Sequence, residues 1–248
     1  LPLYTYLDRG SEILITPSPN TLTNVMKLFL DTAIVSDIEE RYDTGLISGI
    51  TTNPTLMRKT GQDPVEVIKR IAEMFPWDAS ISAEVVGETA EEMLEMASEY
   101  VRIAPNITVK LPCTREGLIA CGDLTADDIS TNVTLVFSPA QAVLAAKAGA
   151  SYISPFIGRV ADQYWDGLSL IKDIRKIYDR NDVTTQILAA SIRNPIDVPN
   201  AFGVGADVCT LPYDIFNKLF DHCLTTAGLD QFDKDWAQLM EELLPEDE

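Results

Sequence analysis

The stretch "ISAEVVGETAEEMLEMASEYVRIAPNITVKLP", residues 81–112, holds two short apolar runs with a helical pattern between them. The runs at 81–86 and 107–111 are too short and too apolar for half-exposed hairpins. They read as parallel strands buried on both faces, joined by an amphipathic helix over 89–104. One residue interrupts the second run. Ile107, Val109 and Leu111 are apolar and Pro112 closes the run, yet Lys110 sits one residue before its end. An ammonium group in such a strand is costly unless it is paired or has lost its proton.

Outward from this unit the same alternation recurs. Upstream strands are predicted at 27–31 and 48–52, and downstream strands at 133–137, 151–155, 186–190 and 207–211. Helical patterns cover 65–75 and 138–149, with further helices expected at 36–44, 115–122, 166–179, 195–202 and 213–219. Eight strand–helix units in roughly 200 residues fit a single α/β domain, a (β/α)8 TIM barrel at the compact end of its range. A doubly wound open sheet is the alternative. It is disfavoured because no G-x-G-x-x-G follows the first strand, and because polar residues collect at the ends of all the strands rather than at one switch point.

Three domain segments follow. Residues 26–228 form the catalytic barrel. Residues 1–25 precede a natural-looking start at Met26 and read as an extension, either disordered or a start-site artefact; they lack the basic region and long apolar core of a secretory signal. Residues 229–248 add a helix, 229–244, and an acidic tail. The helix presents Leu229, Phe232, Trp236, Leu239, Met240 and Leu243 and needs a surface to cover, on its own barrel or on a neighbour.

Composition narrows the function. Nearly half the residues are apolar, no apolar run approaches the ~20 residues of a bilayer span, and the net charge is −19. That charge argues against nucleic acid and anionic membrane as partners. Any phosphorylated ligand therefore needs local cations. Four cysteines at 113, 121, 209 and 223 make no C-x-x-C pair and suit a reducing, cytoplasmic setting. With His222 as the single histidine, a serine–histidine triad or a multi-histidine zinc site is disfavoured, and no metal or other cofactor is expected.

In barrels the C-terminal strand ends carry the chemistry. Read in order they give Asp31; Thr51, Thr52 and Asn53; Glu84; Lys110; Asn132 and Thr134; Ser154 with Arg159 beyond; and Ser191 with Arg193. Taken singly each has an ordinary structural reading: an Asn before Pro shapes a turn, a surface arginine is solvated, and Lys110 pairs with Glu84. Their convergence on one rim points further. A desolvated lysine is a nucleophile for carbonyls, and the imine it forms is an electron sink for carbon–carbon cleavage. Glu84 and Asp31 can divide the proton transfers, the amides and hydroxyls can hold a polyhydroxylated substrate, and the arginines can bind phosphate. The residues read as a lysine-dependent aldolase or aldol transferase acting on sugar phosphates.

"LFLDTA" (28–33), "GITTNPTL" (49–56), "VKLP" (109–112), "NVTLVFSPAQA" (132–142), "ISPFIGR" (153–159) and "LAASIRN" (188–194) together resemble the transaldolase family, in order and over about 26–240. The likeness is to the short microbial form, which includes fructose-6-phosphate aldolases. It implies Lys110 as the imine-forming lysine, Asp31 as acid/base at the cleaved bond, and Glu84 as acid/base acting through a water near Thr134. It also implies Asn53, Thr52, Asn132, Ser154, Phe156 and Ser191 as substrate-binding residues and Arg159 and Arg193 as a phosphate clamp. Glu84 and Phe156 are similar to the transaldolase members, whereas the aldolases tend to carry glutamine and tyrosine there. The resemblance thus implies transfer of a dihydroxyacetone unit between sugar phosphates in the pentose phosphate pathway, with fructose-6-phosphate aldolase or an idle barrel scaffold as the rivals. It further implies a ring-like homo-oligomer, with a decamer as its candidate size.

Overall fold

The computed structural model describes residues 26–243. The extension 1–25 and the last five residues of the acidic tail lie outside the described residues. Eight parallel strands occur in chain order: β1 (Lys27–Asp31), β2 (Ile47–Thr51), β3 (Ser80–Glu84), β4 (Ile107–Pro112), β5 (Thr131–Val136), β6 (Tyr152–Pro155), β7 (Gln186–Ala189) and β8 (Val208–Leu211). Each pairs with the next, and β8 pairs with β1, so the sheet closes. The chain is a (β/α)8 TIM barrel, not an open doubly wound sheet.

The helices are α1 (Val35–Tyr42), α2 (Pro54–Thr60), α3 (Pro64–Met74), α4 (Ala90–Val101), α5 (Arg115–Ala126), α6 (Pro139–Lys147), α7 (Ile157–Ala161), α8 (Gly167–Arg180), α9 (Asp197–Gly203), α10 (Tyr213–Lys218) and α11 (Cys223–Glu242). Residues 89–104 show how sequence sets such an element. The Thr89 hydroxyl accepts from the Glu92 amide while the Glu92 carboxylate accepts from the Thr89 amide, a reciprocal cap that fixes where α4 begins.

Side-chain alternation along the strands makes two cores. One face of each strand meets the helices. Leu30, Ile50, Ile81, Val109, Leu111 and Ile153 pack there with Ile38, Ile68, Ile71, Ile171 and Ile174 from the surrounding helices. Each such fully buried side chain contributes about 1.5–3 kcal/mol before chain entropy is counted. A second, smaller cluster of Phe29, Tyr152, Leu188, Ala190 and Val208 is separate from it. The Phe29 and Tyr152 ring centroids lie 6.2 Å apart. Gly49 makes room for this plug, since a Cβ there would come within 2.8 Å of the Phe29 ring and 2.4 Å of the Ser80 carbonyl oxygen. No helix among the described residues is long and apolar enough to cross a membrane.

Three departures from the sequence reading matter to the site. The short helices α2 and α7 directly follow β2 and β6, where no helix was predicted. Strand β5 starts two residues before the predicted 133 and carries a register shift against β6, with Leu135 at φ 59°. The terminal helix begins at Cys223 rather than 229, because the His222 side chain accepts from the Leu224 amide and caps it.

Candidate active site

Lys110 occupies the position that alternation assigns it. Val109 and Leu111 on either side belong to the core shared with the helices, whereas Lys110 itself is 4 % exposed. Its Nζ lies 2.9 Å from Glu84 Oε2 and donates to the Thr52 carbonyl at 3.0 Å. Glu84, Lys110 and Asn132 are register partners across β3, β4 and β5, so the early start of β5 places Asn132 level with the lysine rather than below the strand. The ordinary expectation that Lys110 pairs with Glu84 is met, and the pair is part of a larger polar interior.

On one side stand Asp31 and Thr51, register partners on β1 and β2. The Thr51 hydroxyl donates to Asp31 Oδ1 at 2.8 Å and shares a 2.6 Å hydrogen bond with Thr210 on β8. Burial raises the Asp31 carboxyl above its ordinary range, and the attraction of Lys110, the Thr51 hydrogen bond and the charge of Lys59 oppose that rise. On the other side, Ser154 Oγ donates to Asn132 Oδ1 at 2.7 Å, and Asn132 Nδ2 donates to Ser82 Oγ at 3.2 Å. These bonds fix the orientation of the Asn132 amide.

Thr52 and Asn53 link β2 to α2. The Thr52 hydroxyl and amide both donate to the Ser82 carbonyl. Asn53 Oδ1 accepts from the Leu56 amide at 3.0 Å, so the side chain caps α2. The turn-shaping role of an Asn before Pro is real, but it uses the oxygen and leaves the NH2 for another partner. A cleft of about 440 Å³ reaches Thr52, Asn53 and Glu84 and is bordered by Met57, Val86 and Met96. Thr134 is fully buried, and its hydroxyl finds no hydrogen-bond partner among the described residues.

The arginines lie just beyond β6 and β7, Arg159 in α7 and Arg193 four residues after β7 ends. Gly158, second in α7, packs so closely that a Cβ there would lie 2.0 Å from the Ser191 carbonyl oxygen and 2.9 Å from Arg193 Cγ. That approach brings the residue before Arg159 against Ser191 and Arg193. Ser191 turns the chain at φ 62°. The Arg159 guanidinium lies 4.8 Å over the Phe156 ring, and Phe156 also packs edge-on to Phe137 at 5.6 Å. Arg193 Nη2 pairs with Asp162 Oδ2 at 2.6 Å, both side chains about half exposed.

Most of the residues singled out from sequence lie at or just past the C-terminal ends of their strands; Asn132 was read as a strand-end residue but is the second residue of β5, level with Lys110. Lys110, Glu84 and Thr52 form one contact set; Asn132 and Ser154 form a second; Asp31 and Thr51 a third. Phe156 and Arg159 stack, and Arg193 joins them through Gly158. Ser82, Thr210 and Asp162 were not foreseen. Ser82 and Thr210 look like ordinary strand hydroxyls, although Thr210 stands at the end of β8. Asp162 has one available signal: it falls three residues after Arg159, one turn along the same chain segment.

Comparisons with known proteins agree with one another. A family model described as Transaldolase/Fructose-6-phosphate aldolase matches residues 28–243. A protein of Caulobacter vibrioides named "Probable transaldolase" is 52% identical over 219 residues, which is 88% of this chain and 100% of the relative. One of the same name from Geobacter sulfurreducens is 49% identical over 214 residues, 86% of this chain and 99% of the relative. Among solved structures, thiamine phosphate pyrophosphorylase from Pyrococcus furiosus aligns with a TM-score of 0.54 at 19% identity, covering 76% of this chain and 86% of that one. That last likeness speaks to the barrel alone.

Proposed function

The chain belongs to the transaldolase/fructose-6-phosphate aldolase family, and from that premise we propose that it is a transaldolase working through an imine on Lys110. The observation that carries this reading is the position of Lys110 Nζ, buried and held at 2.9 Å from Glu84 and 3.0 Å from the Thr52 carbonyl. Attack on a ketose C2 carbonyl forms the C–N bond, and water leaves as the imine forms. Glu84 is the group within reach to move the protons of that step. Asp31 then takes the proton of the C4 hydroxyl, the C3–C4 bond breaks, and its electron pair is held as an enamine while the aldehyde leaves. An acceptor aldehyde reverses the sequence. The enamine carbon adds to its carbonyl, Asp31 returns the proton to the new hydroxyl, and hydrolysis frees Lys110.

The donor is sedoheptulose 7-phosphate and the acceptor glyceraldehyde 3-phosphate, giving erythrose 4-phosphate and fructose 6-phosphate. Asn53 Nδ2, Asn132 and Ser154 bind the hydroxyls, and Thr134 supplies the further hydroxyl that the imine steps need. Ser191, Arg159 and Arg193 bind the phosphate, for which Asp162 must yield part of its hold on Arg193. Transfer, rather than release of free dihydroxyacetone, is supported by Phe156. A phenyl ring there offers no hydroxyl to relay a proton to the enamine carbon.

Borohydride reduction in the presence of fructose 6-phosphate tests the reading. A dihydroxyacetone-derived mass is expected on Lys110 and on no other lysine, and adduct elsewhere refutes the assignment. Lys110→Arg keeps a cation beside Glu84, so it should fold yet lose all activity, because a guanidinium stays protonated and cannot form the imine.

A further inference from the structure

At the opposite end of the barrel, the C-terminal half of α8 and the turn from α9 into β8 border a cleft of about 660 Å³. Four cations line it, Lys172, Arg175, Lys176 and Arg180, on a chain with 19 basic residues against 38 acidic ones. One carboxylate joins them, Asp179, and it lies 2.7 Å from Arg175 Nε, whose guanidinium also reaches Asp207 at 3.4 Å. Arg175 is therefore neutralised within the fold. Gly205, at φ 106°, lets it lie across the turn, since a Cβ there would come within 2.4 Å of Arg175 Cγ.

Lys172, Lys176 and Arg180 are different. They are exposed, and none has a carboxylate within ion-pair distance among the described residues. Their spacing of four puts them in one row, where like charges repel and weaken a helix by a few tenths of a kcal/mol per pair. The helix dipole accounts for a cation in the last turn, which covers Arg180 but not Lys172 or Lys176. An uncompensated row is a poor choice for stability alone, and in so acidic a molecule it is the local cation source that an anionic ligand would need.

We infer that this cleft binds a small metabolite carrying two phosphoryl groups, at a site separate from the barrel mouth. The row spans about 12 Å along the helix axis from Lys172 to Arg180, room for a separate phosphoryl group at each end. A bisphosphate places a charged group at each end, where lysine and arginine can both donate charge-assisted hydrogen bonds. Val204 is the one apolar side chain among the residues that line the cleft, so specific recognition rests on the charged ends of the others.

The test uses the full chain and hexane-1,6-diol bisphosphate, which has no carbonyl and cannot form the Lys110 imine. Acetylation of Lys172 and Lys176 is followed by mass spectrometry at constant ionic strength. The bisphosphate should protect both lysines, and inorganic phosphate should need about tenfold higher concentration for the same effect. Lys176→Glu with Arg180→Glu, both exposed positions, should weaken protection of Lys172 by at least about tenfold and leave aldol transfer unchanged. Equal protection by matched sodium chloride, or none at millimolar bisphosphate, overturns the proposal. So does finding the lysines already shielded without ligand, with the double variant changing the assembly state, because the cleft is then a subunit contact.

Discussion

A charged side chain inside an apolar strand is the kind of residue that sequence exposes best. Lys110 stood out because Val109 and Leu111 beside it have to be buried, and the same alternation that buries them carries Lys110 to the barrel interior. Glu84 and Asp31 were legible for the same reason. Ser82 and Thr210 were not, because a hydroxyl is tolerated on almost any strand and gains meaning only from its neighbour across the barrel. Asp31 yields a prediction with a definite sign. Its folded carboxyl is raised, chiefly by burial, so the native state holds this proton at pH values where the unfolded chain has released it. Its contribution favours folding in acid and is lost as pH rises from the ordinary Asp range through the raised value. Asp31→Asn should therefore raise the Tm at neutral pH relative to wild type, with the difference shrinking in acid, while transfer falls about 10²–10⁴-fold. Thermal unfolding at several pH values, beside the activity assay, checks both halves; a neutral-pH Tm below that of wild type contradicts the first. Phe156→Tyr tests partition rather than stability. The ring is half-buried against Phe137 and under Arg159, and a hydroxyl there gives a water a partner near the enamine. Release of dihydroxyacetone should rise and transfer should fall. Wild-type protein that already releases faster than it transfers would overturn the transferase reading and leave the imine standing.

At the scale of elements, the eight strands and most helices were readable because each has a strong period and a buried face. The two helices that escaped, α2 and α7, have seven and five residues, and each is a second helix in a unit whose longer helix, α3 or α8, is already assigned from sequence. Both sit at the site. Helix α2 starts because Asn53 caps it and Pro54 opens it, so a residue of the barrel rim and a helix cap are one residue. Helix α7 depends on Gly158, whose contact with Ser191 leaves no space for a methyl group. The β5 irregularity was equally hidden, since nothing in "NVTLVF" announces a leucine in left-handed backbone. Gly158→Ala follows as an element-scale prediction. The new Cβ must push α7 away from Ser191 and Arg193 and so shift Arg159 relative to Arg193. The KM for fructose 6-phosphate should rise about ten- to a hundredfold, the worth of a charge-assisted contact, and the KM for unphosphorylated fructose should rise far less. Stability should fall by about 1–3 kcal/mol, as overpacking costs. Equal KM losses for both sugars would separate this helix from phosphate binding.

At the scale of the whole molecule, the closed barrel accounts for every helix except the last. Helices α1 and α3 to α10 each bury residues against the barrel, and α2 packs partly buried Leu56 and Met57 on the core, whereas α11 has no buried residue along its 20 positions. Leu229, Phe232, Trp236 and Leu243 are each more than half exposed on it. The sequence posed two answers for this helix, its own barrel or a neighbour, and its starting point at His222 was obscured because a histidine cap carries no familiar signature. With the first answer absent from the described residues, we propose the second, that α11 covers a surface on another copy. So much apolar side chain at helical spacing in one row is rarely left to water in a stable protein. Truncation after Asp221 should leave the barrel folded, since none of its core residues lies beyond that point. It should also reduce the assembly to a smaller state by light scattering. Trp236→Glu with Phe232→Glu in the full chain should do the same without removing any backbone. An unchanged mass for the double variant would show that the helix does not join subunits through this face. Loss of the smaller state's Lys110 adduct would show instead that the barrel mouth needs its neighbours to hold its shape.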